Sequence, residues 1–216
     1  MTKWKCNICG DIFDSENSAP LCPECGSENI ITTQSDNKTK IKGSKTESNL
    51  MAAFIGESQA RNKYTYFASK AKQEGYEQIG AIFEETANNE KEHAEIWLKL
   101  LGGINDTTKN LEDAIKGETY EHENMYPEYA RVAKEEGFID IARKFEMVAK
   151  IEETHARRYK KFLEDLINDE VFHKKTELTV WKCRNCGHIV VSKNAPVICP
   201  VCSHSQAYFE VNCDNY

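Results

Sequence analysis

Two Glu-x-x-His pairs give this 216-residue chain the donor types of a metal site. Glu90 pairs with His93 and Glu152 pairs with His155, 62 residues apart, each at the centre of a helix-forming run. Side chains three residues apart project from the same face of an α-helix, so each run offers a carboxylate and an imidazole to one point. The sequence therefore predicts that both pairs bind metal.

Four helices are needed to position these side chains. Between Thr46 and about His173, apolar residues recur every three to four positions in four runs, which predicts amphipathic α-helices. Each run carries glutamate within its apolar stripe: Glu57, Glu90, Glu118, Glu121 and Glu152. An ionised carboxylate in an apolar core is unfavourable by several kcal/mol unless it is paired or coordinated. Any one glutamate could simply be solvated, but five glutamates and two histidines in these stripes indicate a shared metal site.

The helices repeat in pairs. Tyr64–Gly75 aligns with Tyr126–Gly137, which predicts a duplicated helical hairpin. Glu57 lies seven residues before the first segment, whereas Glu118 lies eight residues before the second. A one-residue insertion inside a helix is usually absorbed as a π-bulge. We therefore predict a π-turn between Glu118 and Tyr126.

Eight of the nine cysteines form a second kind of site at the two ends of the chain. Each end has two Cys-x-x-Cys pairs separated by twelve residues: Cys6, Cys9, Cys22 and Cys25, then Cys183, Cys186, Cys199 and Cys202. In a reducing compartment this spacing predicts four thiolates around one metal ion, and both zinc and iron sites use it. Cys213 is left over and receives no role.

Composition excludes several other functions. A net charge of -7 argues against a nucleic-acid partner, because phosphate binding needs clustered Lys and Arg. The chain has no apolar run of 18 residues and no basic-then-apolar leader, so we expect neither a membrane span nor a secretory signal. We expect a cytoplasmic protein.

At these residues the chain resembles the rubrerythrin family. The similar segments are Phe54–Asn62, Glu90–Ala94, Met125–Pro127 and the C-terminal Cys-x-x-Cys-Gly module. The resemblance covers nearly everything from residue 44 onward and implies a mainly α fold, a ferritin-like four-helix bundle flanked by two small rubredoxin-like four-cysteine metal domains. The implied boundaries are 1–36 for the first four-cysteine domain, 37–45 for a linker, 46–173 for the bundle and 177–216 for the second four-cysteine domain. The common family plan has the C-terminal domain alone, so the N-terminal one is a departure.

The resemblance also implies the cofactors. Two iron ions in an oxo- or hydroxo-bridged di-iron site would be bound by Glu57, Glu90, His93, Glu118, Glu121, Glu152 and His155. One iron would occupy the C-terminal four-cysteine site, and we expect iron, with structural zinc as the alternative, in the N-terminal one. The family's redox switch implies that one iron exchanges Glu121 for His93 on reduction. Charge agrees with this, because oxidised iron favours an additional anion and reduced iron favours a neutral imidazole.

Two tyrosines occupy matching places in the repeat. Tyr64 and Tyr126 lie about two helical turns from Glu57 and Glu118. One hypothesis is aromatic core packing, and the other is hydrogen bonding to ligand carboxylates with proton donation to a bound peroxide. Both stay open. His122 lies at a different helical angle from its neighbour Glu121, and we expect it on the surface.

The resemblance implies an oxidative-stress enzyme. Hydrogen peroxide, with O2 left open as a second substrate, would be reduced to water by electrons from NAD(P)H. The electrons would arrive through a redox partner, either rubredoxin or an NAD(P)H–rubredoxin oxidoreductase, and then the rubredoxin-type iron centres. The alternatives are a ferritin-like ferroxidase or iron-storage protein, and a zinc-ribbon interaction protein with a structural bundle.

The connection between the two hairpins predicts a dimer. The second helix ends near Gly102-Gly103, with Glu90 about 12 residues before this break and Glu118 about 12 after it, so parallel helices need roughly 35 Å to be spanned. Six extended residues reach only about 20 Å. Unwinding of residues 104–115 or an up-down-up-down topology would solve this. We predict instead a helix-swapped homodimer, in which the first two helices pack with the last two of a second chain.

Overall fold

The chain divides into two compact units, residues 1–104 and 105–216. A computed structural model describes residues 2–16, 20–32, 41–176 and 178–213. Each unit contains one four-cysteine module and half of the long helices. No helix in these four ranges is long and apolar enough to cross a membrane.

The first unit begins with a three-stranded antiparallel sheet of order β2-β1-β3. Its strands are β1 (Thr2–Cys6), β2 (Ile12–Ser15) and β3 (Ile30–Thr32). Each Cys-x-x-Cys turn of this module ends at a glycine with positive φ, and the glycine N–H closes the turn. Gly10 donates to the Cys6 carbonyl over 3.0 Å, and Gly26 donates to the Cys22 carbonyl over 2.8 Å. The part of the expected linker before residue 41 lies outside the described residues.

The first helical hairpin consists of α1 (Lys45–Gln73) and α2 (Glu77–Leu100). Ser44 caps α1 because its side chain accepts a hydrogen bond from the Glu47 N–H over 3.1 Å. Gly75, at φ 86°, ends the helix and turns the chain into α2. Small residues bring the two helices close together: Ala68, Ala71, Gly80, Ala87 and Ala94 are buried. Many larger apolar side chains of this hairpin stay exposed, including Ile55 and Phe67.

The second helical hairpin repeats this design with one interruption. Its helices are α3 (Thr107–Tyr120), α4 (Tyr126–Glu135) and α5 (Ile139–Ile167), and a π-helical segment, Glu121–Met125, joins α3 to α4. The predicted π-turn is confirmed, and the Tyr126 N–H bonds to the carbonyl of Glu121, five residues back. Gly137, also at φ 86°, makes the same turn as Gly75.

Aromatic contacts show how closely the hairpins correspond. The Tyr64 and Phe83 rings lie 6.0 Å apart at 32°, and the Tyr126 and Phe145 rings lie 6.0 Å apart at 34°. The predicted duplication is therefore present in side-chain packing as well as in sequence.

The second unit ends in another three-stranded antiparallel sheet, of order β5-β4-β6. The strands are β4 (Thr179–Cys183), β5 (Ile189–Ser192) and β6 (Phe209–Val211). Trp181 is fully buried in a small core with two ligand cysteines: its other members are Cys183, Ala195, Cys199 and Phe209. Phe172 packs against this core from the segment after α5. The described chain is thus mainly helical with a small four-cysteine module at each end, as predicted.

Candidate metal centres

The first hairpin brings together three of the predicted ligands. Glu57 on α1 and Glu90 and His93 on α2 have ligand atoms that all lie within 4.8 Å of one another. His93 Nδ1 lies 2.8 Å from Glu90 Oε2 and 4.0 Å from Glu57 Oε1. The Glu90 side chain is 17% exposed and that of His93 is 51% exposed. The imidazole is therefore the most accessible donor of this group.

The second hairpin forms an equivalent group. Glu118 on α3 and Glu152 and His155 on α5 again have ligand atoms within 4.8 Å of one another. His155 Nδ1 lies 2.6 Å from Glu152 Oε2 and 3.6 Å from Glu118 Oε2. Burial raises the pKa of Glu118, and the negative charge of Glu152 raises it further. A bound cation would remove this repulsion between the two carboxylates.

Glu121 occupies a separate position. It is half-buried at the first residue of the π-helical segment, and neither of the donor groups found in the described residues includes it. Burial raises the pKa of Tyr126, and the charge of Glu121 raises it further, so this carboxylate lies close enough to act on the phenol. His122 was expected on the surface, but its side chain is only 18% exposed. His122 lies in the π-helical segment, where side chains point in directions that a regular α-helix does not give.

The two predicted tyrosines are half-buried at equivalent positions. Tyr64 packs against Phe67 and Phe83, and Tyr126 packs against Tyr129 and Phe145. Packing is therefore part of their role. The charges of Glu152 and Glu118 also raise the pKa of Tyr126, so its phenol lies within electrostatic range of the second donor group.

The eight cysteines of the terminal modules form two tetrads with similar dimensions. In the N-terminal tetrad the Sγ atoms of Cys6 and Cys25 lie 3.5 Å apart, as do those of Cys9 and Cys22. The corresponding two distances in the C-terminal tetrad, between Cys183 and Cys202 and between Cys186 and Cys199, are both 3.7 Å.

These sulfur separations fit a tetrahedral metal site. A disulfide bond would require about 2.05 Å between sulfur atoms. Metal–sulfur bonds of about 2.3 Å in a tetrahedron place the sulfur atoms about 3.8 Å apart. Backbone N–H groups of Cys9 and Ile8 lower the pKa of Cys6 to about 6, and the His204 N–H lowers that of Cys202 to about 6. Each tetrad therefore has a thiolate available for metal binding.

One buried carboxylate was not singled out from the sequence. Asp165, near the end of α5, is 6% exposed. Its Oδ1 lies 2.6 Å from Lys161 Nζ and its Oδ2 lies 2.9 Å from Lys174 Nζ. Seven residues later, the Phe172 carbonyl accepts a hydrogen bond from the Ala195 N–H over 2.9 Å. This segment thereby links α5, which carries Glu152 and His155, to the C-terminal four-cysteine module. The spacing of Lys161 and Asp165 was the available sequence signal.

Comparisons with known proteins match the two regions of the chain that contain the helical hairpins and the C-terminal four-cysteine module. The rubrerythrin family profile matches residues 48–163, and the profile of the rubrerythrin rubredoxin-like domain matches residues 181–210. Rubrerythrin from Porphyromonas gingivalis is 47% identical over 199 residues, covering 86% of this chain and 99% of the relative. Rubrerythrin from Nitratidesulfovibrio vulgaris is 44% identical over 184 residues, covering 79% and 96%.

Two further relatives differ in their extent of similarity. Reverse rubrerythrin-1 from Clostridium acetobutylicum is 33% identical over 134 residues, covering 54% of this chain and 74% of the relative. The solved structure of partially reduced nigerythrin is 31% identical with a TM-score of 0.31, covering 77% of this chain and 86% of that one. Given the two matching profiles and the curated relatives, the chain belongs to the rubrerythrin family of non-haem di-iron proteins, with a ferritin-like helical fold, a C-terminal rubredoxin-like domain and an additional N-terminal four-cysteine cluster.

Proposed function

We propose that this chain is a di-iron peroxidase that reduces hydrogen peroxide to water and protects a cell against oxidative stress. The observation that carries the proposal is the pair of equivalent donor groups, each with two carboxylates and one imidazole, in a chain that also contains thiolate tetrads. Mixed carboxylate and imidazole donors suit iron. Storage of iron needs no one-electron thiolate centre, so the tetrads favour peroxidase activity over the ferroxidase alternative.

The di-iron ligand set that we propose has seven residues: the six of the two donor groups and, as an additional carboxylate, Glu121. They are Glu57, Glu90, His93, Glu118, Glu121, Glu152 and His155. When bound, two irons supply the two electrons that convert one peroxide and two protons into two water molecules. His93 has the more exposed of the two imidazoles, 51% against 37% for His155. This supports His93 as the ligand that exchanges with Glu121.

Reduction of peroxide to water consumes protons, and a side chain beside the metals has to deliver them to the peroxide oxygens. We assign this role to Tyr126, because the charges of Glu118, Glu121 and Glu152 all act on the pKa of its phenol. A tyrosine phenol is protonated at neutral pH even at its ordinary pKa of about 10, so the hydroxyl can donate a hydrogen bond. Tyr64 occupies the equivalent place in the first hairpin and is assigned the same role by the repeat.

A second copy of the chain would complete the metal site. Each hairpin provides one donor group and leaves large apolar side chains exposed, including Ile55 at 48% and Ile141 at 48%. The connection from the end of α2 at Leu100 to the start of α3 at Thr107 is short. Both features support the helix-swapped homodimer. The domain boundaries that we propose are 1–36, 46–173 and 177–216, with a linker at 37–45.

Electrons would enter through the four-cysteine modules. We assign one iron to the C-terminal tetrad and one to the N-terminal tetrad, where zinc is the alternative. The source would be NAD(P)H acting through rubredoxin or an NAD(P)H–rubredoxin oxidoreductase. The many cysteine thiols fit a reducing compartment and support a cytoplasmic location.

The test is an anaerobic titration of the iron-loaded protein. NADH with a rubredoxin reductase and rubredoxin should bleach the ferric-thiolate absorption, and hydrogen peroxide should restore it with one peroxide consumed per NADH. Glu152→Gln should abolish peroxide consumption, whereas Glu153→Gln, a matched change at the exposed neighbouring residue, should leave it intact. Iron uptake far beyond four ions per chain without NADH oxidation would favour storage and refute the proposal.

A further inference from the structure

The two four-cysteine modules share one backbone plan but carry opposite charge. Both pair their strands in the same order and register, with Trp4 opposite Phe13 in one and Trp181 opposite Val190 in the other. Residues 2–32 contain two lysines and five acidic residues, a net side-chain charge of -3. Residues 178–213 contain three basic residues and one acidic residue, a net of +2. The common backbone does not require this difference.

The charge difference falls at equivalent positions. Adding 177 to a residue number of the first module gives its equivalent in the second, as for Cys6 and Cys183. The altered pairs include Asn7 and Arg184, Asp11 and His188, Glu16 and Lys193, and Glu24 and Val201. Glu16 and Glu24 are exposed, as are Arg184 and Lys193. The first module therefore carries the greater negative charge and the second the greater positive charge, with a direct reversal of sign at Glu16 and Lys193, while Arg184 lies 3.5 Å from Glu210 of its own module.

Both modules also expose apolar side chains beside their ligand turns. In the N-terminal module Ile8 is 67% exposed and Leu21 is 58% exposed, and the adjacent Cys9 is exposed as well. In the C-terminal module Ile198 is 61% exposed and Val201 is 65% exposed. An apolar centre with a charged rim is the usual composition of a protein docking surface.

We propose that the N-terminal module docks on the C-terminal module of a second copy of this chain, with its acidic rim against the basic rim. Opposite net charges speed the encounter and fix its orientation, and the apolar centres exclude water. The N-terminal module thereby becomes a built-in electron donor, a role that rests on the proposed function. With iron in both tetrads, each docking event would carry one electron. The N-terminal iron would be oxidised from ferrous to ferric and the C-terminal iron reduced from ferric to ferrous, and the external donor of the proposed function would then reduce the N-terminal iron again.

The test needs no enzyme activity. A carbodiimide joins carboxylates directly to lysines in contact, so the zinc-loaded full chain should form covalent dimers. Peptide mass spectrometry should find Glu16 or Glu24 joined to Lys182 or Lys193. The yield should be high at about 0.01 M salt and lost at about 1 M, because the Debye length falls from about 30 Å to about 3 Å. Crosslinks of these carboxylates to helical lysines, or in monomers alone, would overturn the proposal.

Charge reversal provides the controls. Glu16→Lys with Glu24→Lys removes two reactive carboxylates, so the readout is the crosslinks of the exposed Asp14 and Glu28 to Lys182 or Lys193. Their yield should fall at least about tenfold, because like charges then meet. Adding Arg184→Glu and Lys193→Glu should restore docking with the charges exchanged. Glu85→Lys with Glu153→Lys makes the same charge change on exposed helix positions and should have no effect. An equal loss in this control variant would contradict a specific interface.

The two proposals fail in different ways. If the docking proposal is wrong, the crosslinks are absent while iron-loaded protein still reduces peroxide with rubredoxin as an external donor. If the peroxidase proposal is wrong, the crosslinks form in the zinc-loaded protein while no peroxide is consumed by the iron-loaded one.

Discussion

Asp165→Asn should loosen the segment that joins α5 to the C-terminal four-cysteine module. The wild-type carboxylate is 6% exposed and accepts hydrogen bonds from Lys161 over 2.6 Å and from Lys174 over 2.9 Å. The amide of asparagine has nearly the same shape but carries no charge and has one acceptor oxygen in place of two. The substitution therefore removes the electrostatic part of both contacts with little change in packing.

The size of the effect follows from the exposure of the two lysines. The Lys161 side chain is 62% exposed, so solvent screens its contact with Asp165 and this contact adds little to stability. The Lys174 side chain is 21% exposed, and its charged hydrogen bond contributes about 1.5–3 kcal/mol. We expect a loss of about 2–3 kcal/mol in the free energy of unfolding. The second unit runs from residue 105 to residue 216. At about 4 °C per kcal/mol for a domain of this size, its melting temperature should fall by about 8–12 °C.

The pH dependence has a definite sign. Burial raises the pKa of Asp165, but the hydrogen bonds from Lys161 and Lys174 outweigh it and hold the pKa below its usual value. A carboxylate with a lowered folded-state pKa stabilises the protein above its unfolded-state pKa of about 3.9. This stabilisation is lost as the pH falls through the folded-state pKa. The difference between wild type and Asp165→Asn should be constant near pH 7 and shrink below about pH 4.

Calorimetry of the zinc-loaded chain measures this difference, and hydrogen exchange of residues 168–176 shows whether the loss is local. Asp169→Asn is the matched control, because this side chain is 91% exposed and the residue lies at φ 55°, which asparagine tolerates. The control should change the melting temperature by less than about 1 °C. Equal melting temperatures for the two variants at pH 7, with unchanged exchange in this segment, would refute the role assigned to Asp165.

Three further predictions concern the metal sites. Glu121→Ala should retain iron but lower steady-state peroxide turnover at least about tenfold, the expected loss of about 1.4 kcal/mol or more in transition-state stabilisation; unchanged turnover would count against ligand exchange. Cys9→Ser and Cys186→Ser should each remove one of the two thiolate-bound irons and about half of the visible thiolate absorption, and a full spectrum in Cys9→Ser would indicate that the N-terminal metal is zinc. Sedimentation should show a dimer that loses di-iron absorption when dilution produces monomers, and an iron-loaded monomer would exclude the swapped site.

Local features of this chain were predictable because short-range geometry determines them. The π-helical segment followed from one extra residue between Glu118 and Tyr126, since a helix cannot absorb an insertion without a change of hydrogen bonding. The thiolate tetrads followed from cysteine spacing, since two short turns fix four sulfur atoms. The last of the four Cys-x-x-Cys turns differs from the others in one residue. Ser203, at φ 60°, takes the place that glycine occupies in the other three turns.

Contacts between distant segments were harder to predict. Asp165 binds a lysine nine residues away across a chain reversal, and no periodicity in the sequence marks Lys174 as its partner. Likewise, the repeat suggested aromatic core packing for Tyr64 as one hypothesis but did not predict its pairing with Phe83. Such contacts depend on how the turn after each helix directs the chain, which residue spacing alone does not encode.

The duplicated hairpins explain why one interruption of the repeat matters. Without the π-turn, both hairpins would offer identical donors, and two bound metals would have equal environments. The additional residue instead brings Glu121 near Tyr126 in the second hairpin, while the first hairpin keeps the more exposed histidine, His93. The additional carboxylate favours the higher charge of oxidised iron, and the neutral imidazole favours the lower charge of reduced iron. In the proposed function this inequality supports the exchange of Glu121 for His93, so deleting one residue of the π-helical segment should remove redox-linked ligand exchange while leaving both donor groups in place.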